Sequence, residues 1–518
     1  MKKYFLFLIS LLITVATYSQ NAVEWQHYYG GSQMDRLNDA IETSDGGYLF
    51  VGSTPSNDSD FVLNKGQNDF AVLKTDSLGN KIWSSCFGGA EDDYGYCAVE
   101  GPNGKYYIAG GTWSTEHDVS GNHGMQDAWL ICVNSNGVLE WQKCFGGSHD
   151  EEFRDIVYHH GKLLLVGRAR SMDGDVTGNH DMTSWDVWVV ETDTVGTLLK
   201  EKCFGGSETE NGRAIILIND SVPVILAQSN SNDYDLDTNY GSNDAWIFRL
   251  NSLWAFHWKV TLGGSASELM WKAIHTNSSS LMILVGSYSS DGDVIGNHGV
   301  DDTWLIELDY YGNLIWSNCF GGSSSDYSYD IAKTADDGYV LCGRASSHDG
   351  DVIKYPDYYG SFWVLKLDST KNIQWSRCFG GSTDERGRSV IPTDDGGFLV
   401  AGEKHINYGS TTNSKTMWWI MKLAYFVDVE KQVSSQEQGI LMYPNPVTSQ
   451  LNISWNSAQD IFLKKIEIID VTGRQMQIQS KKESVGLDHI DVSSLKPGMY
   501  FINIYLVNER YQKMFVKY

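Results

Sequence analysis

Hydrophobic residues recur along the chain in short runs that are too brief for amphipathic helices. Runs such as residues 48–52 and 398–402 are rich in β-branched and aromatic side chains. Turn sequences of the Asp-Gly and Asn-Gly type bound these runs, for example at residues 44–47 and 394–397. The pattern predicts an all-β chain built from antiparallel hairpins.

The hairpins belong to a sequence repeat. An aromatic-Gly-Gly element, with leucine in one copy, occurs seven times, and successive copies are 58 or 59 residues apart. The copies begin at Tyr29, Phe87, Phe145, Phe204, Leu262, Phe320 and Phe379. A period this regular indicates a repeat architecture.

Each repeat contains four strand-like runs, so the pattern predicts a seven-bladed β-propeller with four-stranded blades over residues 20–426. The chain begins with an isolated fourth strand, residues 24–29, and the last repeat ends with its third strand, residues 418–423. We therefore expect the N-terminal strand to complete the seventh blade and close the ring, which removes an exposed sheet edge.

Composition and charge exclude several classes of protein. The 518 residues include 52 glycines and 42% hydrophobic residues, enough to build a core. The formal net charge of -26 would repel a phosphate backbone, so we expect no nucleic-acid partner. Residues 1–19 resemble a secretory signal peptide, with Lys2 and Lys3 before an apolar run and Gln20 as the mature start. After its cleavage we expect no transmembrane segment, since no later run reaches the ~18–20 apolar residues that span a bilayer.

Tryptophans and cysteines recur at fixed repeat positions. Tryptophan occupies one third-strand position in six repeats, and another fourth-strand position in six repeats, where Lys200 is the exception. We interpret both sets as packing between blades. Five cysteines precede the aromatic-Gly-Gly element, at Cys86, Cys144, Cys203, Cys319 and Cys378. Equivalent positions in different blades are too far apart to form disulfides, so buried thiols are expected.

A carboxylate follows the second glycine by four residues in every repeat. These residues are Asp35, Asp93, Glu151, Glu210, Glu268, Asp326 and Glu385. The innermost strand of each blade follows, so a carboxylate ring at one mouth of the channel is one hypothesis, with a cation or polyol as ligand. The alternative is that each carboxylate accepts backbone N–H bonds in the turn or from the neighbouring blade, and the presence of a carboxylate in all seven copies favours it.

Three residues further on, the repeats diverge. The residues at this position are Asn38, Tyr96, Arg154, Arg213, Trp271, Tyr329 and Arg388. Variation at a channel-lining position is typical of a binding site built on a repeated scaffold, and aromatics and arginines are common in such sites. The sequence predicts a ligand site at the channel mouth formed by Tyr96, Arg154, Arg213, Trp271, Tyr329 and Arg388. The alternative is that these side chains only fill the channel.

The long loops between second and third strands carry alternating aspartates. The candidate metal ligands are Asp173, Asp175, Asp233, Asp235, Asp237, Asp291, Asp293 and Asp302. Oxygen ligands at alternate positions followed by glycine are typical of calcium loops, so calcium is a possible cofactor. No flanking helices are predicted and Ile295 occupies a ligand position, so Asx turns that shape the loop are the favoured interpretation.

The C-terminal region breaks the repeat. Residues 427–440 are polar and predict a linker. After them come Tyr-Pro-Asn-Pro at 443–446, an Asp-Val-Thr-Gly-Arg segment at 470–474 and Leu-Lys-Pro-Gly-Met-Tyr at 495–500, in a stretch that predicts a small Ig-like β-sandwich. The motif residues are Pro444, Asn445, Pro446, Gly473, Pro497 and Gly498.

These motifs resemble the C-terminal sorting domain of the type IX (Por) secretion system of Bacteroidetes, over residues 441–518. The resemblance implies export across the outer membrane through the type IX machinery, and a secreted or cell-surface location. It does not say what the cargo does.

Three functions remain open from the sequence. The favoured hypothesis is a non-enzymatic binding or interaction protein whose propeller presents a glycan or protein site. The alternatives are a polysaccharide-acting enzyme of the glycoside hydrolase kind and a structural adhesin. No GxSxG, HExxH or P-loop motif occurs, so no catalytic residue is proposed and enzymatic activity stays uncertain.

Overall fold

The computed structural model describes residues 23–219, 221–276, 279–352, 360–380, 383–406 and 414–424, together with most of the C-terminal region between 440 and 517. Its first strand is β1 (Val23–Tyr29). The described residues up to 424 belong to one compact unit and those from 440 onward to a second. The predicted signal peptide, residues 1–19, and residues 427–439 of the predicted linker lie outside the described residues. Ile440, the last residue of the predicted linker, begins a strand of the second unit.

The first three sheets follow β1 in chain order. Sheet 1 contains β2 (Arg36–Glu42), β3 (Tyr48–Thr54), β4 (Asp69–Thr75) and β5 (Lys81–Phe87). Sheet 2 contains β6 (Asp93–Glu100), β7 (Tyr106–Thr112), β8 (Asp127–Val133) and β9 (Leu139–Phe145), with a short 3-10 turn at Pro102–Gly104. Sheet 3 contains β10 (Glu151–His159), β11 (Lys162–Ala169), β12 (Asp186–Asp193) and β13 (Leu198–Phe204).

The next three sheets repeat this arrangement. Sheet 4 contains β14 (Glu210–Ile218), β15 (Val222–Ser229), β16 (Asp244–Leu250) and β17 (Phe256–Leu262). Sheet 5 contains β18 (Glu268–His275), β19 (Ser280–Ser287), β20 (Asp301–Asp309) and β21 (Leu314–Phe320). Sheet 6 contains β22 (Ser325–Lys333), β23 (Tyr339–Ala345), β24 (Ser361–Leu367) and β25 (Ile373–Phe379), and a short parallel pairing of β20 with β22 links it to sheet 5.

Sheet 7 combines the two ends of the repeat region. Its strands are β26 (Glu385–Pro392), β27 (Phe398–Ile406), β28 (Lys415–Leu423) and β1. Strand β1 pairs antiparallel with β28, with Val23 opposite Leu423 and Tyr29 opposite Trp418. The N-terminal strand is therefore the outermost strand of the last sheet.

The sheets pack on one another through their first strands and through apolar side chains. The first strands are neighbours in the order β2, β6, β10, β14, β18, β22 and β26, and β26 also packs against β2. Third-strand tryptophans fill the spaces between sheets, and Trp129, Trp188, Trp246, Trp304 and Trp363 are fully buried. The prediction of an all-β fold made of four-stranded, propeller-type blades is confirmed.

The predicted cysteine environment is also observed. Seven cysteines are buried thiols and Cys378 is half-buried, and the described residues form no disulfide. Burial raises the pKa of the Cys86 thiol to about 12, because the apolar surroundings disfavour the thiolate.

The exceptional Lys200 has a compensating partner in the next sheet. In sheet 1, Trp83 lies over the turn glycine Gly137 of sheet 2, where φ is +78°. At the equivalent place, Lys200 faces Trp254, which adopts the same left-handed conformation with φ of +61°. The Lys200 ammonium lies 4.4 Å from the centre of the Trp254 ring. Each of these two interfaces thus contains one tryptophan at the turn. Trp83 comes from the fourth strand of the earlier sheet, whereas Trp254 comes from the turn of the later sheet.

This exchange predicts the outcome of a double-mutant cycle. Trp254→Gly should destabilise the protein by roughly 3–5 kcal/mol, because it removes a buried indole. Adding Lys200→Trp to that variant should restore at least half of the loss, because it recreates the Trp83–Gly137 arrangement. Urea denaturation of the two single variants and the double variant measures the coupling. Additive effects of the two substitutions would contradict the compensation.

The C-terminal unit consists of two antiparallel four-stranded sheets. One contains β29 (Ile440–Tyr443), β30 (Gln450–Trp455), β34 (Leu487–Asp491) and β33 (Gln479–Ser484). The other contains β32 (Gln475–Met476), β31 (Leu463–Asp470), β35 (Gly498–Leu506) and β36 (Arg510–Lys517). Leu451 and Ile490 of the first sheet and Ile468 and Ile502 of the second are fully buried. This arrangement agrees with the predicted β-sandwich class.

Most of the predicted sorting motif cannot be placed. Pro444, Asn445, Pro446, Gly473 and Pro497 lie outside the described residues, and Gly498 begins β35. Within the described ranges, no helix has the length and apolar character needed to cross a membrane.

Candidate functional site

Each of the seven first strands contains a β-bulge at the same repeat position. The pairing between first and second strands shifts register by one residue at Asn38, Tyr96, Arg154, Arg213, Trp271, Tyr329 and Arg388. A bulged residue has no partner in the ladder, and its side chain is directed differently from those of a regular strand. The positions at which the repeats diverge are therefore the bulged ones.

The bulges bring side chains from all seven sheets to one cavity of about 200 Å³. All seven diverging residues line it, including the six predicted to bind a ligand. The residue after the bulge also lines the cavity in six sheets, at Asp39, Cys97, Asp155, Ala214, Lys272 and Asp330. Strict alternation would direct two consecutive side chains to opposite faces, whereas a bulge allows both to face the cavity.

Arginines and aromatic rings contact one another around this cavity. The Arg154 guanidinium lies 3.9 Å from the ring centre of Tyr96. Arg388 lies 4.3 Å from the ring centre of Tyr329, and Trp271 meets the same tyrosine edge to face at 4.7 Å. These cation–π and aromatic contacts hold the side chains in defined positions, so the cavity wall is preorganised.

A second group of charges lies next to the bulges. The Lys272 ammonium lies 2.7 Å from a carboxylate oxygen of Asp330, and Asp39 and Asp155 contribute further negative charge around it. These three carboxylates raise the pKa of Lys272, and burial raises the pKa of Asp155 to about 7. The sequence pattern does not reveal this group, because regular alternation along a strand would turn these residues away from the channel.

The same three aspartates connect neighbouring sheets. Asp39 accepts a hydrogen bond from the backbone N–H of Ala98 at 3.0 Å, and Asp155 accepts one from Ile215 at 2.9 Å. Asp330 accepts one from the backbone N–H of Val390 at 2.8 Å. Each bond joins one first strand to the next, so these residues fix the width of the cavity as well as its charge.

The predicted carboxylate ring lies elsewhere. All seven carboxylates are fully buried at the starts of the first strands, and none is among the residues lining the cavity. In six repeats the carboxylate accepts the backbone N–H of the second glycine, at 2.7–3.1 Å. The structure therefore places them in the turns, as the alternative interpretation proposed, because a tight Gly-Gly turn leaves N–H groups that require an acceptor.

A second buried carboxylate lies beside this turn in five sheets. Asp69, Asp127, Asp186, Asp244 and Asp302 begin or nearly begin the third strands and are fully buried. A Cβ atom placed on Gly205 would lie 2.5 Å from an oxygen of Asp186 and 2.5 Å from an oxygen of Glu210. Because the first glycine has no side chain, the two carboxylates can approach each other. The Oδ1 atom of each of the five aspartates has no hydrogen-bond partner in the described structure.

The aspartates of the long loops also bind the Gly-Gly turn. Asp173, Asp233 and Asp291 accept backbone N–H bonds from Ser148, Ser207 and Ser265 at 2.7–2.8 Å. Asp175, Asp235 and Asp293 accept the N–H of the first glycine at 3.2–3.3 Å. Asp237 forms an ion pair with Lys259 at 3.0 Å. These carboxylate oxygens face backbone donors and a lysine.

The remaining candidate calcium ligand, Asp302, has a different partner. Its carboxylate accepts the backbone N–H of His298 and contacts the imidazole Nδ1 of the same residue, both at 2.8 Å. Across the described ranges, no three or more Asp, Glu, His and Cys side chains are grouped as they would be to hold a metal ion. Calcium binding by these loops stays a prediction.

A repetitive region of four-stranded sheets followed by a two-sheet C-terminal unit defines a modular, all-β protein with a separate terminal module. That module is a secretion system C-terminal sorting domain, since the family model of this description matches residues 441–518. The match confirms the resemblance and indicates a secreted protein that is exported by the type IX secretion system.

One curated relative covers part of the chain. Regulatory protein FlaEY of Caulobacter vibrioides is 23% identical over 179 residues, which is 32% of this chain and 19% of the relative. The matched segment thus spans about a fifth of the length of that relative.

Solved structures with distant similarity cover most of the chain. The BBS1N structure, solved in complex with ARL6DN, has a TM-score of 0.41 and 7% identity, covering 78% of this chain and 96% of that chain. Trypanosoma rangeli sialidase, solved with the inhibitor DANA, has a TM-score of 0.38 and 8% identity, covering 95% and 89%. Synechocystis apocarotenoid oxygenase has a TM-score of 0.38 and 11% identity, covering 79% and 95%.

Proposed function

We propose that residues 20–426 form a seven-bladed β-propeller closed by β1, and that this propeller is a non-enzymatic binding protein displayed outside the cell. The pairing of β1 with β28 and the packing of β26 against β2 support a closed ring. The sorting domain supports delivery beyond the outer membrane, where the protein would be retained at the surface or released. The ligand is a glycan or a protein.

The observation that carries this proposal is the position of the diverging residues. Seven bulges, one in each sheet, direct unlike side chains into one cavity, while the Gly-Gly pair and the carboxylate four residues later occur in every copy. A position needed only for folding would be expected to carry the same type of residue in every sequence repeat. Unlike side chains at the seven positions that line one cavity support selection for a ligand.

The side chains in the cavity fit ligands with hydroxyl groups and apolar faces. Trp271, Tyr96 and Tyr329 offer aromatic surface, and the charged residues around them offer hydrogen-bond donors and acceptors. The volume of about 200 Å³ is below the usual range for drug-sized ligands, so it admits one sugar unit or one side chain of a larger partner.

A glycan array probed with the purified protein tests this function. We expect binding to a restricted set of glycans, and we expect Trp271→Ala to weaken it at least about tenfold through loss of the aromatic surface. Trp83→Ala is the matched control, because Trp83 is half-buried and lies outside the cavity. A parallel array with EDTA tests the loop aspartates, and binding should persist there. Absence of binding to both the array and a panel of surface proteins would refute the proposal.

A glycoside hydrolase is the second candidate function. The cavity contains Asp39 and Asp155 beside aromatic rings, and the pKa of Asp155, about 7, suits a general acid. We expect no activity, because the backbone N–H bonds from the next sheet give both carboxylates a structural role in joining the first strands. Release of reducing ends from a polysaccharide panel, abolished by Asp155→Asn, would replace binding with catalysis.

A further inference from the structure

The positive charges in the cavity are not equally neutralised. Arg154 forms an ion pair with Glu152, and Arg388 lies 3.4 Å from a carboxylate oxygen of Glu403. Arg213 lines the same cavity, yet no residue in the described part of the chain forms an ion pair or a hydrogen bond with it, and its buried Nε has no partner. Its nearest ring, Trp271, has its centre 5.6 Å from the guanidinium carbon.

The surroundings of Arg213 leave an excess of positive charge. Glu152 is the carboxylate that acts on Arg213, and it already forms ion pairs with Arg154 and Arg168. Three guanidiniums therefore face one carboxylate. Burial and the neighbouring Arg154 lower the pKa of Arg213 to about 10, which shows that the free protein holds this charge at a cost.

A desolvated arginine without a partner is suited to binding an anion. A guanidinium donates two parallel hydrogen bonds to a carboxylate, and this pairing is stronger in a partly enclosed site than in water. The protein carries a formal net charge of -26, which repels anions in general, so an anion that binds would be attracted by the local positive charge of this site.

We propose, building on the binding function above, that the cavity recognises a carboxylate-bearing sugar, with its carboxylate on Arg213. The indole of Trp271 then provides an apolar surface for the sugar ring, and Asp39 and Asp155 accept hydrogen bonds from its hydroxyl groups. An acidic peptide side chain would satisfy Arg213 but has no hydroxyls for the aspartates. A glycan therefore fits both sides of the cavity better than a peptide.

Saturation-transfer NMR and calorimetry with three probes test this assignment on the full chain. Methyl β-glucuronide is the acidic sugar, methyl β-glucoside is its neutral counterpart, and N-acetyl glutamate amide carries the carboxylate without hydroxyls. We expect the glucuronide to bind at least about tenfold more tightly than either alternative. Arg213→Met should remove that preference, and Arg213→Lys should retain part of it. Arg36→Met, at an exposed position outside the cavity, should change nothing.

Thermal unfolding provides an independent readout. Arg213→Met should leave the melting temperature unchanged or raise it, because the substitution removes an unpaired, partly buried charge. A lower melting temperature would show that Arg213 is a structural residue and would overturn the assignment. Arg213→Gln serves as a second variant if the methionine variant does not fold.

The outcomes separate this inference from the function beneath it. Equal affinity for glucoside and glucuronide, lost in Trp271→Ala, would keep the binding function and overturn the role of Arg213. Tighter binding of the glutamate probe than of the glucuronide would replace the sugar with an acidic peptide. If neither the glycan array nor the protein panel gave binding, both the function and this inference would be wrong.

Discussion

Deletion of residues 23–29 should abolish the cooperative folding of the repeat region. Strand β1 covers β28, whose Trp418 and Ile420 are fully buried, and its loss exposes that edge and the apolar cluster behind it. Domains are typically stable by only about 5–15 kcal/mol, so the loss of a whole strand with its ladder hydrogen bonds and buried apolar contacts should be enough to unfold the region. We expect no sharp transition in calorimetry, and aggregation through the exposed edge of β28.

A matched control separates strand pairing from the general effect of shortening the chain. Glu24→Ala changes an exposed side chain of β1 but leaves its backbone pairing intact, so its melting temperature should stay within about 3 °C of the parent value. A deletion variant that unfolds cooperatively near the parent temperature would show that β1 is dispensable. That result would contradict the assignment of β1 to sheet 7.

Stability should decrease as the pH rises from 5 to 8. Burial raises the pKa values of paired carboxyls, to about 6 for Asp127 and Asp186 and about 7 for Glu210 and Asp244. Each group is ionised above about pH 4 in the unfolded chain but only above about pH 6 to 7 in the folded protein, so stability falls with rising pH until the pH has passed these raised pKa values. Because one pKa unit corresponds to about 1.4 kcal/mol and several groups act together, we expect the melting temperature to fall by at least about 5 °C.

One substitution tests whether the carboxyl pairs cause this slope. Asp244→Asn should reduce the pH dependence between 5 and 8 and should be neutral or stabilising at pH 8, because the amide cannot ionise beside Glu268. Asp394→Asn, at an exposed carboxylate, should leave the profile unchanged. A melting temperature that rises from pH 5 to 8 would show that these carboxyls are ionised in the folded protein at no cost.

The repeat and its strands could be predicted from the sequence because their signals are local. Gly-Gly elements and Asp-Gly turns fix where strands begin and end, and their spacing defines the sheets. The lone strand at residues 24–29 could be assigned to the last repeat by counting strands. Its register against β28 could not, since no short-range signal specifies which residue faces Trp418.

The bulges could not be predicted from the sequence. The residues that follow them, which form about half of the cavity wall, could therefore not be predicted either. Asp39, Asp155 and Lys272 follow the diverging position, and regular alternation would turn them away from the channel. Their charge was the available signal, because charged residues within an otherwise apolar first strand need a polar environment. The sequence also identified Lys200 as an exception, but its partner Trp254 is recognisable only once the turn it belongs to is placed against sheet 3.

For the aspartates of the long loops, the sequence offers Asx turns and calcium as alternatives, and the structure adds a further partner. Alternating aspartates suit calcium and Asx turns equally well by spacing. In three dimensions Asp173 and Asp175 reach the Gly-Gly turn of the same sheet, whose N–H groups compete for the same oxygens. Sequence spacing describes ligands along one loop and contains no information about a second segment that approaches it.

A disulfide across β1 and β28 tests the ring most directly. Gln26 lies opposite Met421, so the double variant Gln26→Cys/Met421→Cys should form an intrachain disulfide on oxidation, seen by mass spectrometry of peptides, and should raise the melting temperature. Gln26→Cys/Gln142→Cys joins β1 to the outer strand of sheet 2 and should form none. Failure of the first pair to cross-link, or equal cross-linking of both, would contradict the closed propeller on which the cavity depends.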